Sequence, residues 1–442
     1  MQPIKQVIDE NGAVHTLGRR IGAGGQGEVW LVEGGRRIVK LLGPRVNADA
    51  MRRQFAFVRR LDLTGFHVAK PLAVLRPPDV GYVAEFLGDM VPIGALIQAP
   101  PSELSRWHIE TGGLRRRLRL LAHAGEALAG LHGRGVVYAD VSHHNVFVSE
   151  PVTAHEAWLI DLDNLTHDSD PRRAIYTPSY GAPEVVAGTA GCTSLSDAWA
   201  FAVLVWQTLT LTHPFVGDLV NDGEPELEEQ AFAGKLPWVG HARDDRNACS
   251  RGLPPDLVMA SRLVELARRT FEDGLIDRTK RPGVSEWVDR LHAAADQTIA
   301  CSGCSGTYFV TEATCPWCDE PRPPVVPVRI ARWQPGKGLV EGAMRLGQLP
   351  LTAAGLQLSR RITQALPGTA ARTAHVELSL VGRAISVRAL PGFEAWVAPI
   401  ATAHEAQHSV VGRDRIVPAS GWMVFFEAPD QPQRVAVLGR SV

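Results

Sequence analysis

The chain has 442 residues, 45% of them hydrophobic, and a net charge of −1. This is a globular composition of two to four domains, and its near-neutral charge argues against nucleic acid or a membrane surface as partner. No apolar run reaches the length that spans a bilayer and the N-terminus lacks a basic-then-apolar leader, so a cytoplasmic protein is expected.

Residues 14–20 read as a strand. They lead into Ile21-Gly22-Ala23-Gly24-Gly25-Gln26-Gly27, a G-x-G-x-x-G pattern that lets backbone amides approach phosphates. A dinucleotide-binding turn would run directly into a helix. Here residues 28–32 are strand-like and Gly34-Gly35 turns the chain back, which makes a hairpin. A plain hairpin with a glycine turn looks the same at this level. The returning strand, residues 37–42, is apolar except for Lys40. Lysine is scarce in this chain, so Lys40 is either functional or an edge-strand lysine in solvent. Residues 49–61 read as a helix with Met51, Phe55 and Val58 at helical spacing. No Glu occurs between Glu33 and Glu85, and Gln54 sits mid-helix. Residues 81–87 form another strand end, through Ala84, Glu85 and Leu87. Residues 114–132 read as an amphipathic helix, with Arg115, Arg116, Arg117 and Arg119 as a solvated face.

A short apolar strand then enters the turn Tyr138-Ala139-Asp140-Val141-Ser142-His143-His144-Asn145 and another leaves it. His143 and His144 read as solvent-facing turn residues. Residues 157–160 form a further strand that ends in Asp161-Leu162-Asp163, where Asp163 reads as a surface acid more readily than a second metal ligand. One acid to take a proton, with an Asn and an acid to hold a metal, is what phosphoryl transfer from Mg-ATP requires. Further on stand Tyr176-Thr177-Pro178-Ser179-Tyr180-Gly181-Ala182-Pro183-Glu184, then Ser196-Asp197, and then Arg281-Pro282.

Taken in this order, residues 17–295 resemble the protein kinase family. The resemblance implies an α+β, two-lobed fold with an N-lobe over residues 1–86 and a C-lobe over 87–297. It implies that Gly22, Gly24 and Gly27 cover the phosphates of ATP and that Lys40 orients them. Glu85 and Leu87 would offer backbone groups to adenine. Asp140 would be the catalytic base, and Asn145 and Asp161 would hold Mg²⁺. Thr177 would face Asp140, Asp197 would cap backbone amides, and Arg281 would pair with Glu184. The implied activity is transfer of the ATP γ-phosphate to Ser or Thr of a protein. Gln54 stands in the slot of the family's helix glutamate, Ala139 in that of an arginine and Ser142 in that of a lysine. These departures raise the alternative of a nucleotide-binding pseudokinase that acts as a scaffold. With Ala139 offering no cation, activity should not depend on phosphates at Thr166, Ser169 or Thr177. A glutamate at position 54 is expected to serve at least as well as Gln54, and Asp161 is the acid expected near Lys40.

Cys301-Ser302-Gly303-Cys304 and Cys315-Pro316-Trp317-Cys318 are two C-x-x-C knuckles ten residues apart. They read as a structural Cys₄ zinc ribbon over residues 298–322, in preference to two disulfides or a redox pair. Residues 323–442 hold β-type runs at 328–333, 376–390, 394–397, 422–426 and 434–438, which suggests a small β-rich docking or binding domain. Some bacterial kinases with a zinc-ribbon tail are encoded beside a phosphatase and a von Willebrand-type protein. The resemblance makes both candidate partners.

Overall fold

Period-two alternation in the strand Arg37–Leu42 sends Ile38, Lys40 and Leu42 to one face and Val39 and Leu41 to the other. The computed structural model describes residues 5–24, 27–167, 175–340, 347–405, 409–410 and 414–439. In it this strand is interior to a six-stranded antiparallel sheet. The order is Gln6–Ile8, Val14–Gly24, Gly27–Val32, Arg37–Leu42, Gly81–Glu85, Ala73–Val74. Val39 and Leu41 join Val7, Leu17, Leu75 and Val83 in one apolar layer. Ile38 and Leu42 pack with Tyr82, Ala84 and Phe55, the last from the helix Ala48–Arg60. Asn47 starts that helix by accepting the Ala50 N–H at 2.9 Å. Lys40 lies on the helix side, paired in register with Tyr82, and is 7% exposed. The edge-strand alternative is therefore excluded.

The chain divides into two units, residues 1–101 with 116–291 and residues 102–115 with 292–442. This division crosses the boundaries expected at 297 and 322. The reason lies in residues 102–115, which pack on the cysteine hairpin. His108 stacks on Trp317 with ring centroids 4.4 Å apart. The Arg115 side chain donates to Thr298 Oγ1 at 2.7 Å.

In the first unit, the helix Ser194–Thr210 is buried along nearly its whole length. Thr193 and Ser196 close its start as a reciprocal capping box. The helix Gly113–His132 has its first turn in the second unit and the rest here. Its arginines do not form a solvated face, contrary to the sequence expectation. Arg116 and Arg117 are almost fully buried. Arg116 donates to the Ser149 carbonyl, and Arg117 donates to the Leu96 carbonyl at 3.4 Å. Burial lowers the Arg117 guanidinium to about 9. Arginine serves here as a long polar strut that satisfies backbone carbonyls from the interior.

The second unit contains the antiparallel hairpin Thr298–Ala300 and Thr307–Phe309, followed by two antiparallel sheets. The larger is built on Val326–Gln334, Gln433–Leu438, Trp422–Phe425 and Trp396–Pro399. The smaller orders Leu356–Ser359, Ala374–Val381, Ala384–Ala389 and Arg415–Pro418. Val328, Ile330, Val424 and Ala436 of the first pack with Val376, Leu378, Ile385 and Val387 of the second. The apolar run expected at 376–390 is thus two strands, because Gly382 takes φ 60° and reverses the chain.

Candidate active site

Two short strands position Asp140 and Asn145. Val136–Val137 enters the turn and Val146–Ser149 leaves it. The Asn145 amide donates to Asp140 Oδ2 at 2.9 Å and to the Asp140 carbonyl at 3.0 Å. Ala139, before the acid, is held at φ 69°. That left-handed conformation costs a residue with a Cβ about 1–2 kcal/mol. Asp197 offsets it, accepting the N–H of Tyr138 at 2.7 Å and of Ala139 at 2.9 Å. The Thr177 hydroxyl donates to Asp140 Oδ1 at 2.7 Å. Burial, and then the charge of Asp161, hold the Asp140 carboxyl above its ordinary range. Hydrogen bonds from Thr177 and Asn145 work the other way without reversing this.

The strand Ala157–Leu159 pairs with Val146–Ser149 and brings Asp161 to the same turn. The Ile160 N–H donates to the Asn145 carbonyl at 3.0 Å, and the Tyr138 hydroxyl donates to the Ile160 carbonyl. Lys40 Nζ donates to Asp161, as expected, and also to Asp163 Oδ2 at 2.6 Å. Burial opposes the Lys40 ammonium, but the two carboxylates hold it above its ordinary range.

Asp163 is not a surface acid. It is 1% exposed, in the 3₁₀ turn Leu162–Asn164. Burial and then Asp161 push its carboxyl up to about 7, against the pull of Lys40. Sequence reasoning also missed Tyr82, buried beside Asp163, and Asn164, buried in the same turn as Asp163. A polar pair set between Leu162 and Leu165 is the signal that could have found this buried turn. Gln54 does not reach Lys40. Its amide donates to the Leu165 carbonyl at 2.6 Å. A glutamate there would lose this bond and set a carboxylate against a carbonyl, contrary to the expectation that it would serve as well.

Gly22, Gly24 and Gly27 lie on the hairpin beside the lysine strand, with Gly24 opposite Gly27 and Val29 opposite Lys40. Gly25 and Gln26, at the tip, lie outside the described residues. Gly27 has a steric reason to be glycine, since a Cβ would stand 2.0 Å from the Leu41 carbonyl oxygen. Glu85 ends its strand exposed, and Leu87 follows half-buried. Thr166 is buried in a strand, Thr177 is bonded to Asp140, and Ser169 lies outside the described residues. His143 is half-buried, its Nδ1 2.9 Å from the Tyr180 hydroxyl, so only His144 faces solvent as expected. Arg281 makes two parallel bonds to Glu184, at 2.7 and 2.8 Å.

In the second unit, the Sγ atoms of Cys301, Cys304, Cys315 and Cys318 all lie within 4.8 Å of one another. Cys301 and Cys318 are 3.5 Å apart, and Cys304 and Cys315 are 3.7 Å apart. Disulfide sulfurs stand about 2 Å apart. Thiolates at the corners of a tetrahedron about 2.3 Å from a zinc ion would stand close to 3.8 Å apart. The Gly303 and Gly306 N–H groups donate to Cys301 and Cys304, as the supporting shell of a metal site requires. The four residues fit Zn²⁺.

Residues 113–286 match the family described as protein kinase domain, and residues 43–177 match the lipopolysaccharide kinase (Kdo/WaaP) family. The chain is 30% identical over 293 residues to the serine/threonine-protein kinase pkn2 of Myxococcus xanthus, covering 62% of this chain and 32% of that protein. It is 28% identical over 214 residues to Pkn1 of the same organism, 45% of this chain and 29% of that one. Against CBL-interacting protein kinase 4 of Oryza sativa subsp. japonica it is 27% identical over 256 residues, 55% of this chain and 54% of that one. The chain thus spans about a third of the two Myxococcus relatives. Among the described residues no helix is long and apolar enough to cross a membrane. The match to the protein kinase domain over residues 113–286 takes in Asp140, Asn145, Asp161, Thr177, Glu184, Asp197 and Arg281.

Proposed function

We propose that this chain is a Ser/Thr protein kinase of the cytoplasm, which transfers the ATP γ-phosphate to a hydroxyl of a protein substrate. The observation that carries the reading is the convergence of three segments. Asp140 and Asn145 share one turn, Asp161 is tied to it by the Ile160 bond, and Lys40 reaches Asp161 from the sheet. Asp140 accepts the proton of the acceptor hydroxyl as its oxygen attacks the γ-phosphorus, and ADP leaves. Asn145 and Asp161 would hold Mg²⁺, which supplies positive charge to the phosphates. Lys40 orients the α- and β-phosphates, and the hairpin of Gly22, Gly24 and Gly27 closes over them. Backbone groups at Glu85 and Leu87 hold adenine. The Cys₄ hairpin is a zinc ribbon, and the two-sheet domain is a docking module for partners such as a phosphatase or a von Willebrand-type protein.

The second reading is a nucleotide-binding pseudokinase. It is favoured by one observation, that Asp161 is bonded to Lys40 and must release it to hold a metal. Purified protein with labelled ATP, Mg²⁺ and a protein acceptor decides between them. Asp140→Asn should abolish labelling while Mg-ATP still binds, because the base acts on the acceptor and not on ATP. Equal labelling by both proteins would remove Asp140 from its role. Binding without labelling by the wild type would establish the pseudokinase.

A further inference from the structure

Lys40 has two buried-side partners where phosphate-orienting chemistry needs one that stays. Its side chain is 9% exposed, Asp161 is 28% exposed and Asp163 is 1% exposed. An ammonium taken out of water is tolerated only while a carboxylate remains with it. Asp161 is the more open acid and the one assigned to Mg²⁺, so it cannot be the permanent partner. The helix Ala48–Arg60 cannot supply one either. Its acid, Asp49, is mostly exposed and lies 3.8 Å from Arg52, and Gln54 is committed to the Leu165 carbonyl.

We propose that Asp163 is the positioning residue for Lys40, the carboxylate that keeps the lysine in place when Asp161 turns to Mg²⁺. It stands 2.6 Å from Nζ, on the turn Leu162–Asn164, where it is 1% exposed. Tyr82 is the register partner of Lys40 on the neighbouring strand, so strand pairing fixes where the lysine leaves the sheet. The helix acts on the lysine only at second hand, through Gln54, the Leu165 carbonyl and the turn that carries Asp163. The carboxylate that would otherwise come from the helix comes from the segment after the metal-binding acid. This rests on the reading of Lys40 and Asp161 as a nucleotide site.

A double-mutant cycle on the full chain tests it, read by Mg-ATP titration calorimetry and by thermal unfolding without nucleotide. Loss of a charge-assisted hydrogen bond is worth about 1.5–3 kcal/mol, or on the order of ten- to a hundredfold in affinity. Asp163→Asn and Lys40→Met should each weaken Mg-ATP by this factor. Lys40→Met with Asp163→Asn should bind no worse than Lys40→Met alone, because Asp163 acts through the lysine. Asp163→Glu should recover most of the loss. Multiplied losses in the double variant would mean that Asp163 meets metal or phosphate directly, and would overturn the proposal. The unfolding arm needs no nucleotide. Lys40→Met leaves Asp163 buried without its cation, so adding Asp163→Asn should raise the melting temperature. A further fall instead would show that the two are not paired. If the wild type binds no Mg-ATP, the reading of the site fails, and the unfolding arm still decides the pairing.

Discussion

Asp197 is the residue on which the geometry of Asp140 depends most. Its carboxylate, 2% exposed, accepts from the N–H groups of Tyr138 and Ala139 and lies 3.0 Å from His132 Nε2. Asp197→Ala leaves two buried backbone donors without an acceptor. Each such group costs about 1–3 kcal/mol, so the loss is about 2–6 kcal/mol. A domain of this size is stable by about 5–15 kcal/mol, so most of the fold should survive at low temperature. The catalytic turn should not survive in its present form. Ala139 at φ 69° has about 1–2 kcal/mol to gain by relaxing once those bonds are gone. Relaxation there moves Asp140, the next residue. Taking about 3 kcal/mol as the new deficit of the competent turn, phosphotransfer should fall at least about a hundredfold. Asp197→Asn keeps one acceptor oxygen and should lose less on both counts. Urea unfolding and steady-state transfer at saturating Mg-ATP measure the two effects. If Asp197→Ala unfolds within about 0.5 kcal/mol of the wild type and transfers phosphate at the same rate, this carboxylate does not hold the turn.

Glu184→Gln removes one charge of a buried bidentate pair in which the Arg281 side chain is 1% exposed, and should destabilise by about 3–5 kcal/mol. Burial raises the Glu184 carboxyl but the bonds from Arg281 win and hold it below its ordinary 4.5. The pair therefore stabilises above that pH, and the gap between wild type and variant should close as pH falls through the lowered folded value; a gap that widens in acid would contradict the pairing. For Asp140 the sign is opposite. A base must be ionised, and its carboxyl is raised above 3.8 by burial and Asp161, so the acid limb of the transfer rate should lie above that of an ordinary aspartate. Thr177→Val removes a bond that lowers this value and should move the limb further up; a shift downward would mean that another group sets the limb. One zinc per chain should be found by elemental analysis, and Cys301→Ser should lower it and loosen residues 298–322, whereas stoichiometric disulfides without metal would rule the site out.

Much of the first unit is legible because its signals are local. Alternation places Lys40 on one face of residues 37–42, and a five-residue turn must bring Asn145 back to Asp140. The misreadings share one cause, which is that burial of a polar group depends on a partner far along the chain. Asp163 has the composition of a surface acid until Lys40, 123 residues away, is placed beside it. Arg116 has the look of a solvated cation until the Ser149 carbonyl meets it. Gln54 fills a glutamate slot by position, yet its amide answers the Leu165 carbonyl, 111 residues away. In the second unit the strands Gln348–Leu351, Leu356–Ser359 and Arg415–Pro418 lie outside the expected runs.

The exchange of a helix carboxylate for one on the turn changes how the site can be controlled. Where a helix supplies the lysine's ion partner, moving the helix breaks an ion pair and disables the site. Here the helix Ala48–Arg60 offers the system a neutral bond, from Gln54 to Leu165, beside the packing of Phe55 on Tyr82. A neutral hydrogen bond contributes about 0.5–1.5 kcal/mol, which shifts a two-state population by at most about tenfold. Moving between nearly all off and nearly all on needs about 5.5 kcal/mol. Loss of this bond alone therefore cannot supply a full switch. The strong contacts to Lys40 come from Asp161 and Asp163, two residues apart on one short segment. A device that turns this site on and off is best placed on residues 161–165 or on the segment where Thr177 reaches Asp140.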